Sequence, residues 1–524
     1  MNNNALCPLS RLCRDAHAQD HKDRAPREPQ RNERSTLLRD RGASLLTAAT
    51  MFGAVLATAA LVAGCASTSG AVPHTHELMT SAQAGANGAA TPWPKTDWWT
   101  SWGDAQLNAV VDKALGSQPS LQTVQARLVQ AQAAVDAAGA ARLPQVSGAL
   151  DMTDQRFTEH GLIPPPLAGA TRWNNSAQVN ASWELDLFGR QRASIDAAIG
   201  QLRAAQAESQ AARVLLAGNV ASTYVTLARL VDARKVAQQS LGQREQTFSL
   251  VRQRISAGLD TNVEMRQAEG FIAQTKVDIE ALDEQIARTR HALAELSGQA
   301  PTAYDTLTPQ LAAVKATPLP QGLPADLIGR RADLVAQRWR VEAALKDVDV
   351  ARAQFYPNVN LVAFAGLSSL GLDNFVKSGS QTYGIGPAVR LPIFEGGKLR
   401  ANLSAKNAEV DAAIDGYNSA LLRALREVAD EVSTLQSLER QQVAQDDALK
   451  SAESAFDLSV QRYQNGLGNY LVVLTAETNV LAQRRAASDL KARHLAAEAA
   501  LARALGGGYQ ADAPATLATA SVQH

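Results

Sequence analysis

Hydrophobic and polar residues alternate along two segments in the first half of this chain. In the more regular segment, "AQVNASWELDL" over residues 177–187, every second side chain is apolar. The other segment, "QVSGALDM", begins at Gln145 and is less regular. Because successive side chains of a strand point to opposite faces, the pattern predicts two strands, at about 145–156 and 175–188. A weaker alternation in the second half predicts two more, at about 358–367 and 382–393.

A long segment without proline follows each pair of strands. No proline occurs between Leu167 and Gln299, or between Ile393 and Ala513. Ala, Leu, Gln, Arg and Glu, which are strong helix formers, dominate both segments. We therefore predict long helices at about 190–257 and 398–465, of which the first is roughly 100 Å long at 1.5 Å per residue.

The residues after each long helix are those of a tight turn into a further helix. Gly258 and Gly466 stand where a left-handed C-terminal cap belongs. Thr261 and Glu264 have the spacing of a capping box, and Asn469 is placed as the N-cap of the corresponding helix. Each long helix is therefore predicted to turn back into a second one.

The chain repeats this pattern. The segment 252–269 aligns with 460–477, so that Gly258 falls on Gly466 and Glu269 falls on Glu477, both pairs 208 positions apart. We predict an α+β protein with an internally duplicated helix–strand–strand–helix unit, the first copy over 97–310 and the second over 311–507. The remaining residues, 508–524, are predicted to be a disordered C-terminal tail.

Two interpretations of the strands are compatible with their alternation. A small soluble sheet packed on helices has one apolar and one polar face, and so does a strand of about ten residues that crosses a bilayer at a tilt. Four spanning strands cannot close a barrel, since the known single-chain minimum is about eight and an open edge in lipid leaves backbone groups unsatisfied. If the strands span the membrane, several chains must share one barrel, and three copies give about twelve strands.

The N-terminal 64 residues have the features of an export signal. A basic flank from Arg34 to Arg41 precedes a run of small apolar residues that ends in "LVAGC" at Cys65. We predict a signal peptide with an N-terminal extension over 1–64, and a lipidated, flexible linker over 65–96 that starts at acylated Cys65. A transmembrane anchor followed by a chance cysteine is the alternative.

Composition excludes some classes of function. The 51 basic residues balance the 51 acidic ones, so the chain lacks the basic excess of nucleic-acid-binding proteins. The scattered histidines predict no metal site, and no motif predicts a cofactor or enzymatic activity. The tryptophan-rich segment 93–102 has two interpretations, ligand stacking or packing of the N-terminal segment against the helices.

Five stretches carry a resemblance to a known family, the TolC-like outer-membrane efflux factors. They are "DWWTSWGDAQLNAVVDKAL" (97–115), "PSLQTVQARLVQAQAAVDAAGAARLPQV" (119–146), "WELDLFG" (183–189), "LPIFEGG" (391–397) and "RYQNGLGNYLVVL" (462–474). Within that family the chain resembles the lipoprotein branch that serves tripartite RND-type pumps. The resemblance extends from Asp97 to about Gly507.

This resemblance implies an architecture, a location and partners. It implies a homotrimer in the bacterial outer membrane, lipid-anchored, with a twelve-stranded β-barrel over a long periplasmic α-helical barrel. It also implies a passive exit duct for drugs or other small toxic compounds, which a periplasmic adaptor and an inner-membrane pump deliver. An exit duct for type I protein secretion is the alternative, followed by a lipid-anchored periplasmic helical-hairpin adaptor. The transported substrate and the identity of the pump stay open.

The resemblance further implies a gate at the periplasmic tip. The family's tyrosine–carboxylate lock falls on Tyr463 and Glu264, and its apolar constriction falls on Leu471. The positions of its acidic ring hold Val472 and Thr475, with Glu477 nearby, while Gly468 replaces an arginine of some relatives. The gate is therefore expected to be more apolar than in many relatives.

Overall fold

The computed structural model describes residues 67–80, 83, 93–314 and 329–509. These residues form seven α-helices and four β-strands. The helices are α1 (Ala105–Ser117), α2 (Pro119–Ala140), α3 (Arg190–Ser256), α4 (Asn262–Leu296), α5 (Ala332–Ala353), α6 (Lys398–Gln464) and α7 (Tyr470–Ala504). The strands are β1 (Gln145–Arg156), β2 (Thr171–Leu185), β3 (Asn358–Leu370) and β4 (Gln381–Arg390).

The predicted duplication is confirmed, because α2–β1–β2–α3–α4 and α5–β3–β4–α6–α7 have the same order. Equivalent helices also have equal lengths: 22 residues for α2 and α5, 67 for α3 and α6, and 35 for α4 and α7. Both long helices start where the sequence predicts and end one residue earlier than predicted. An average α-helix has only about 11 residues, so α3 and α6 make this an unusually long helical body.

Two strands end earlier than the sequence predicts. The second ends at Leu185 because the next residue, Asp186, turns back to accept hydrogen bonds from the backbone N–H groups of Gln191 (3.0 Å) and Arg192 (2.9 Å) at the start of α3. The fourth ends at Arg390, which pairs with Asn358, the first residue of the neighbouring strand β3.

The four strands form one antiparallel sheet in the order β1-β2-β3-β4. Partners across the ladder share a face, so the register fixes the composition of each face. Every position of one face in the central part of the sheet is apolar: Val146, Gly148 and Leu150 on β1; Ala177, Val179, Ala181 and Trp183 on β2; Leu361, Ala363 and Ala365 on β3; Tyr383, Ile385 and Pro387 on β4. Within the described residues, β1 and β4 each pair with a strand on one side only.

Buried apolar residues form three clusters along the helices. The middle cluster includes Trp98, Trp99 and Trp102, which make edge-to-face contacts with centroids 5.5 and 5.8 Å apart. A second cluster lies between α5, α6 and the end of α7. A small third one lies at the helix turns. The tryptophans therefore pack the N-terminal segment against the helices, which confirms one of the two interpretations of that segment.

The prediction of a flexible linker over 65–96 was wrong for residues 67–80. This segment lies along α6, where Asp411 accepts hydrogen bonds from the backbone N–H groups of Thr75 and His76, each 2.9 Å long. Asn418 accepts one from the N–H of Met79 (2.8 Å) and donates another to the carbonyl oxygen of Glu77 (3.0 Å). The signal peptide, Cys65 and residues 510–524 of the predicted tail lie outside the described residues.

Glycine closes both copies of the repeat after their last helix. A Cβ at Gly298 would collide with the carbonyl oxygen of Ser117, and a Cβ at Gly506 would collide with that of Arg330. Both glycines also have a positive φ, 63° and 92°. Only a residue without a side chain lets the backbone after the last helix pass this close to the backbone at Ser117 in the first copy and at Arg330 in the second.

Within the described residues, one helix is long and apolar enough by composition to cross a membrane. It is α3, and more than half of its apolar stretch is buried inside the protein. The core helix of a soluble region has the same properties, so this stretch by itself is weak evidence for a helical span.

Candidate functional site

Two helical hairpins, α3–α4 and α6–α7, turn at the same end of the molecule. The turn glycines, Gly258 and Gly466, have φ values of 74° and 75°. After each, the next N–H bonds back five residues, from Leu259 to Arg254 (2.9 Å) and from Leu467 to Arg462 (2.8 Å). These are the predicted left-handed caps, in the Schellman arrangement.

The N-terminal caps of the returning helices are also as predicted. The Thr261 hydroxyl accepts from the N–H of Val263 (3.1 Å), and the Glu264 carboxylate accepts from the N–H of Thr261 (2.9 Å). In the second hairpin the Asn469 side chain accepts from the N–H of Val472 (3.1 Å). The turns are thereby fixed by residues within each hairpin.

The expected pairing of Tyr463 with Glu264 was wrong. The hydroxyl of Tyr463 donates its hydrogen bond to Asp260, which lies two residues beyond the turn glycine of the first hairpin. The Glu264 carboxylate caps its own helix instead, where it accepts hydrogen bonds from the backbone N–H and the hydroxyl of Thr261. A carboxylate engaged in a capping box is drawn to the helix end and away from a neighbouring hairpin.

Arg254 completes this contact between the two hairpins. Its guanidinium donates to Asp260 (Nε–Oδ2, 2.9 Å) and to the carbonyl oxygen of Tyr463 (3.0 Å). It also lies over the Tyr463 ring, 4.5 Å from the centroid. We call Arg254, Asp260 and Tyr463 the tip triad. The ring of Tyr463 is 1% exposed, so the contact is shielded from water.

Electrostatics favour one protonation state of the tip triad. Burial raises the pKa of Asp260, but the hydrogen bonds from Arg254 and Tyr463 outweigh it and hold the pKa below its ordinary value. Burial and the neighbouring Asp260 carboxylate raise the pKa of Tyr463. At neutral pH the phenol therefore donates to an ionised carboxylate, which makes a hydrogen bond stronger than one between neutral groups.

Sequence reasoning missed Asp260, although a signal for it existed. Arg254 has an equivalent in the second copy, Arg462, but the equivalent of Asp260 is Gly468. The arginine is thus present in both copies, whereas the carboxylate near it is present only in the first. This is a position at which the two copies differ. A comparison of Asp260 with Gly468 could therefore have pointed to Asp260 as a residue that contacts the other copy.

The remaining predicted gate residues divide into two groups. Leu471 and Val472 are 57% and 55% exposed, and Thr475 is exposed on the same helix. Glu477 is buried instead, with its carboxylate 3.2 Å from Nε of Arg244 on α3. Its inclusion with the exposed gate residues was therefore wrong, because Arg244 holds it between the helices.

The opposite end of the molecule carries the sheet, whose apolar face is exposed. Ile385 is 78% exposed and Tyr383 is 82% exposed, both on the edge strand β4. The other face carries polar side chains such as Ser147, Asn180 and Gln178. An exposed apolar face of four strands, with polar residues on the opposite face of β1 and β2, suits a sheet that has lipid on one side and water on the other.

Aromatic residues mark the boundary between the sheet and the long helices. Phe188 stacks on Tyr356 with centroids 4.9 Å apart, and both are about half exposed. Phe394, at the corresponding place after β4, is 90% exposed. Aromatic girdles of this kind are typical of the interface between a membrane and water.

Comparison with protein families gives one match over most of the chain. The family model described as "Outer membrane efflux protein" matches residues 110–299 and 323–507. The chain is 36% identical over 373 residues to the fusaric acid resistance protein FusA of Burkholderia cepacia, covering 70% of each chain. It is 32% identical over 438 residues to the multidrug resistance outer membrane protein MdtP of Escherichia coli K12, covering 81% of this chain and 88% of the relative.

Solved structures give the same result for the fold. The outer membrane protein VceC of Vibrio cholerae is similar with a TM-score of 0.74 and 36% identity, covering 80% of this chain and all of VceC. CusC, whose structures concern transmembrane channel formation, is similar with a TM-score of 0.73 and 26% identity, covering 84% of this chain and all of CusC.

Proposed function

Because this chain belongs to the outer membrane efflux protein family, we propose that it is the exit duct of a tripartite efflux system. It is an outer-membrane channel protein with four strands per chain and a long helical body that extends into the periplasm. Small toxic molecules would leave the cell through the duct, and a separate inner-membrane pump would supply the energy.

The observation that carries this proposal is the sheet. Its apolar face extends across all four strands, while among the described residues each of its two edge strands pairs with a strand on one side only. Unpaired groups in lipid cost several kcal/mol each, about the range for a lost buried hydrogen bond. Closure by β1 of one copy on β4 of the next satisfies these groups, and three copies give twelve strands. We therefore infer a homotrimer.

The helical tip supplies the closed state of the duct. With the tip triad formed, the α6–α7 hairpin is held against the α3–α4 hairpin of the same chain. Leu471, Val472 and Thr475 then point from α7 toward solvent, where three copies would surround an apolar opening. An apolar ring closes a pore by excluding water from it. Docking of a periplasmic adaptor at the tip would release the triad and open the pore.

The names of relatives indicate which compounds to test as transported substrates. MdtP and MdtQ are multidrug resistance proteins, and FusA is a fusaric acid resistance protein. Lipophilic drugs and small aromatic acids are therefore the first compounds to examine. The RND class of pump is the proposed partner in the inner membrane.

Acylation of Cys65 is part of the proposal. The apolar run and "LVAGC" support it, and residues 67–80 lead from that point along α6. Metabolic labelling with palmitate tests it, with Cys13→Ser as the matched control. Loss of label in Cys65→Ser but not in Cys13→Ser is the expected result, and label retained in Cys65→Ser would contradict it.

Two measurements test the duct itself. The native mass of the protein extracted in mild detergent should be that of a trimer. Expression with its adaptor and pump in a strain without its own exit ducts should raise drug tolerance, and omission of this chain should abolish the effect. A monomer that leaves the membrane without detergent once Cys65 is replaced would favour the periplasmic hairpin adaptor. Restored secretion of a protein, with drug tolerance unchanged, would favour type I secretion.

A further inference from the structure

A second polar contact joins the two hairpins farther from the turns. The guanidinium of Arg244 on α3 donates to Glu477 on α7 (3.2 Å) and, on α4, to Thr275 Oγ1 (2.6 Å) and the carbonyl oxygen of Phe271 (3.1 Å). The Ser240 hydroxyl donates to the same oxygen of Glu477 (3.4 Å). We call Ser240, Arg244, Thr275 and Glu477 the polar layer, and it contacts helices of both hairpins.

The polar layer lies between two apolar clusters. Toward the turns is the third cluster, with Val251 on α3 and Val473 on α7. Away from the turns is the middle cluster, with Leu230 on α3 and Leu495 on α7. The side chains of Arg244 and Glu477 are only 10% and 8% exposed, so the pair is enclosed on both sides. Arg244 stands 14 residues from Gly258, which is about 20 Å along the helix.

The polar layer and the tip triad distribute their charges differently. In the tip triad both charges, Arg254 and Asp260, belong to the first hairpin, so the hairpins can part while the ion pair stays intact. The second hairpin contributes only neutral groups to the triad, the phenol and the backbone carbonyl of Tyr463. In the polar layer the charges lie on opposite sides of the junction, Arg244 on α3 and Glu477 on α7.

Parting the polar layer therefore separates two buried opposite charges, and only the neutral partners Thr275 and Phe271 stay with Arg244. Breaking a buried ion pair is among the most costly changes inside a protein. Sliding α7 along α3 by one turn would also separate Arg244 from Glu477. The pair therefore fixes the register of the two helices, as a single buried polar residue does in a coiled coil. Rotation about the layer breaks no charged contact.

We propose that the polar layer is the fixed pivot of the tip. When the tip triad is released, the α6–α7 hairpin swings about the Arg244–Glu477 contact, and the displacement is confined to the 20 Å or so between this contact and the turns. The inference rests on the proposed gate, because the pivot is the point at which the moving part of that gate ends.

Distances between spin labels in the detergent-solubilised trimer test the pivot. One pair reports on the tip, at exposed Leu259 and Leu467. The other lies at Asp278 and Arg485, a partly exposed pair with atoms 3.6 Å apart on α4 and α7, beside the polar layer. Labelled chains are diluted with unlabelled ones so that each trimer holds at most one labelled chain. A sample without introduced cysteines controls for background labelling.

The closed state is the otherwise unchanged protein, and the open state is the Tyr463→Phe variant. We expect the tip distance to increase by about 5 Å, and the distance beside the polar layer to change by less than about 2 Å. In a neutral double variant, Arg244→Gln with Glu477→Gln, both distances should increase, because no charge pair holds the layer together.

Three results would overturn the inference. Equal widening at both pairs in the Tyr463→Phe variant would show that the layer parts, although the gate itself would stand. Absence of widening at both pairs would overturn the pivot together with the proposed gate. Localised tip widening that persists in the neutral double variant would also count against the pivot, since the ion pair would then be dispensable.

Discussion

Tyr463 donates its phenolic hydrogen bond to Asp260, 203 residues earlier in the chain, across the contact between two helical hairpins. The arrangement keeps an ionised carboxylate and a neutral phenol together in a site that water hardly reaches. The Tyr463 hydroxyl crosses from the second hairpin to the first and carries no charge, so its removal weakens the closed tip while the Arg254–Asp260 ion pair stays intact.

Replacement of Tyr463 by phenylalanine should favour the open tip. A hydrogen bond to a charged group contributes about 1.5–3 kcal/mol, so the closed-to-open ratio should fall by about 10- to 150-fold in each chain. Conductance of single trimers in planar bilayers measures the change. Tyr470→Phe is the matched control, since Tyr470 is buried in the same cluster, with its centroid 6.1 Å from that of Tyr463. Equal conductance of the two variants would contradict the assignment.

Removal of Asp260 and removal of Glu264 should have different results. Asp260→Ala leaves Arg254 without its carboxylate and Tyr463 without its acceptor, so we expect a larger conductance than in Tyr463→Phe. Glu264→Ala removes one half of a capping box at an exposed helix start, and should leave the conductance of the closed state unchanged. Raised conductance in Glu264→Ala alone would restore the Tyr463–Glu264 lock that the structure replaced.

The contribution of Asp260 to closure should be lost only in strong acid. The pKa of Asp260 is depressed in the folded state, so its contribution is complete above the ordinary aspartate value of about 3.9 and is lost as the pH falls through the lower folded value. The raised pKa of Tyr463 keeps the phenol a donor through the alkaline range. Conductance recorded from neutral pH to pH 3, with Asp260→Asn as the comparison, measures this. A titration near neutral pH that disappears in Asp260→Asn would contradict it.

The two faces of the sheet should tolerate charge differently. Ile385→Arg places a cation on the apolar face of β4, at a cost of about 2–4 kcal/mol if the position lies near the bilayer midplane. Ala388→Arg, three residues along the same strand, places it on the polar face. We expect Ile385→Arg to reduce the amount of trimer in outer-membrane fractions and Ala388→Arg to leave it near the original level. The reverse order would place lipid on the other face.

Glycine should be required at the end of the second copy of the repeat. Gly506→Ala adds a methyl group that collides with the backbone at Arg330 and puts alanine at a φ of 92°. The thermal stability of the trimer should fall markedly. Gly270→Ala is the control, because a Cβ there meets nothing within 4 Å and alanine is the better helix former. Similar melting temperatures for both variants would show that the chain end relaxes around the added group.

Much of this architecture depends on interactions between residues close in sequence, and the sequence predicted those parts. The alternation near residues 177–187 placed β2 within a few residues, and the absence of proline gave α3 and α6 almost to the residue. The caps at Gly258, Thr261 and Asn469 were predicted because each bonds to backbone within about five residues. Period, propensity and capping are all encoded locally, so no knowledge of the fold is needed to read them.

The tertiary structure alone decided which distant groups meet. Glu264 and Asp260 are both carboxylates near the first turn, and only the packing of the two hairpins brings Asp260 to Tyr463. Glu477 belongs to a helix with exposed neighbours, yet Arg244, 233 residues earlier, buries it. Nothing in the local sequence fixes the rotation of one hairpin against another; apolar packing and the pairing of Arg244 with Glu477 do.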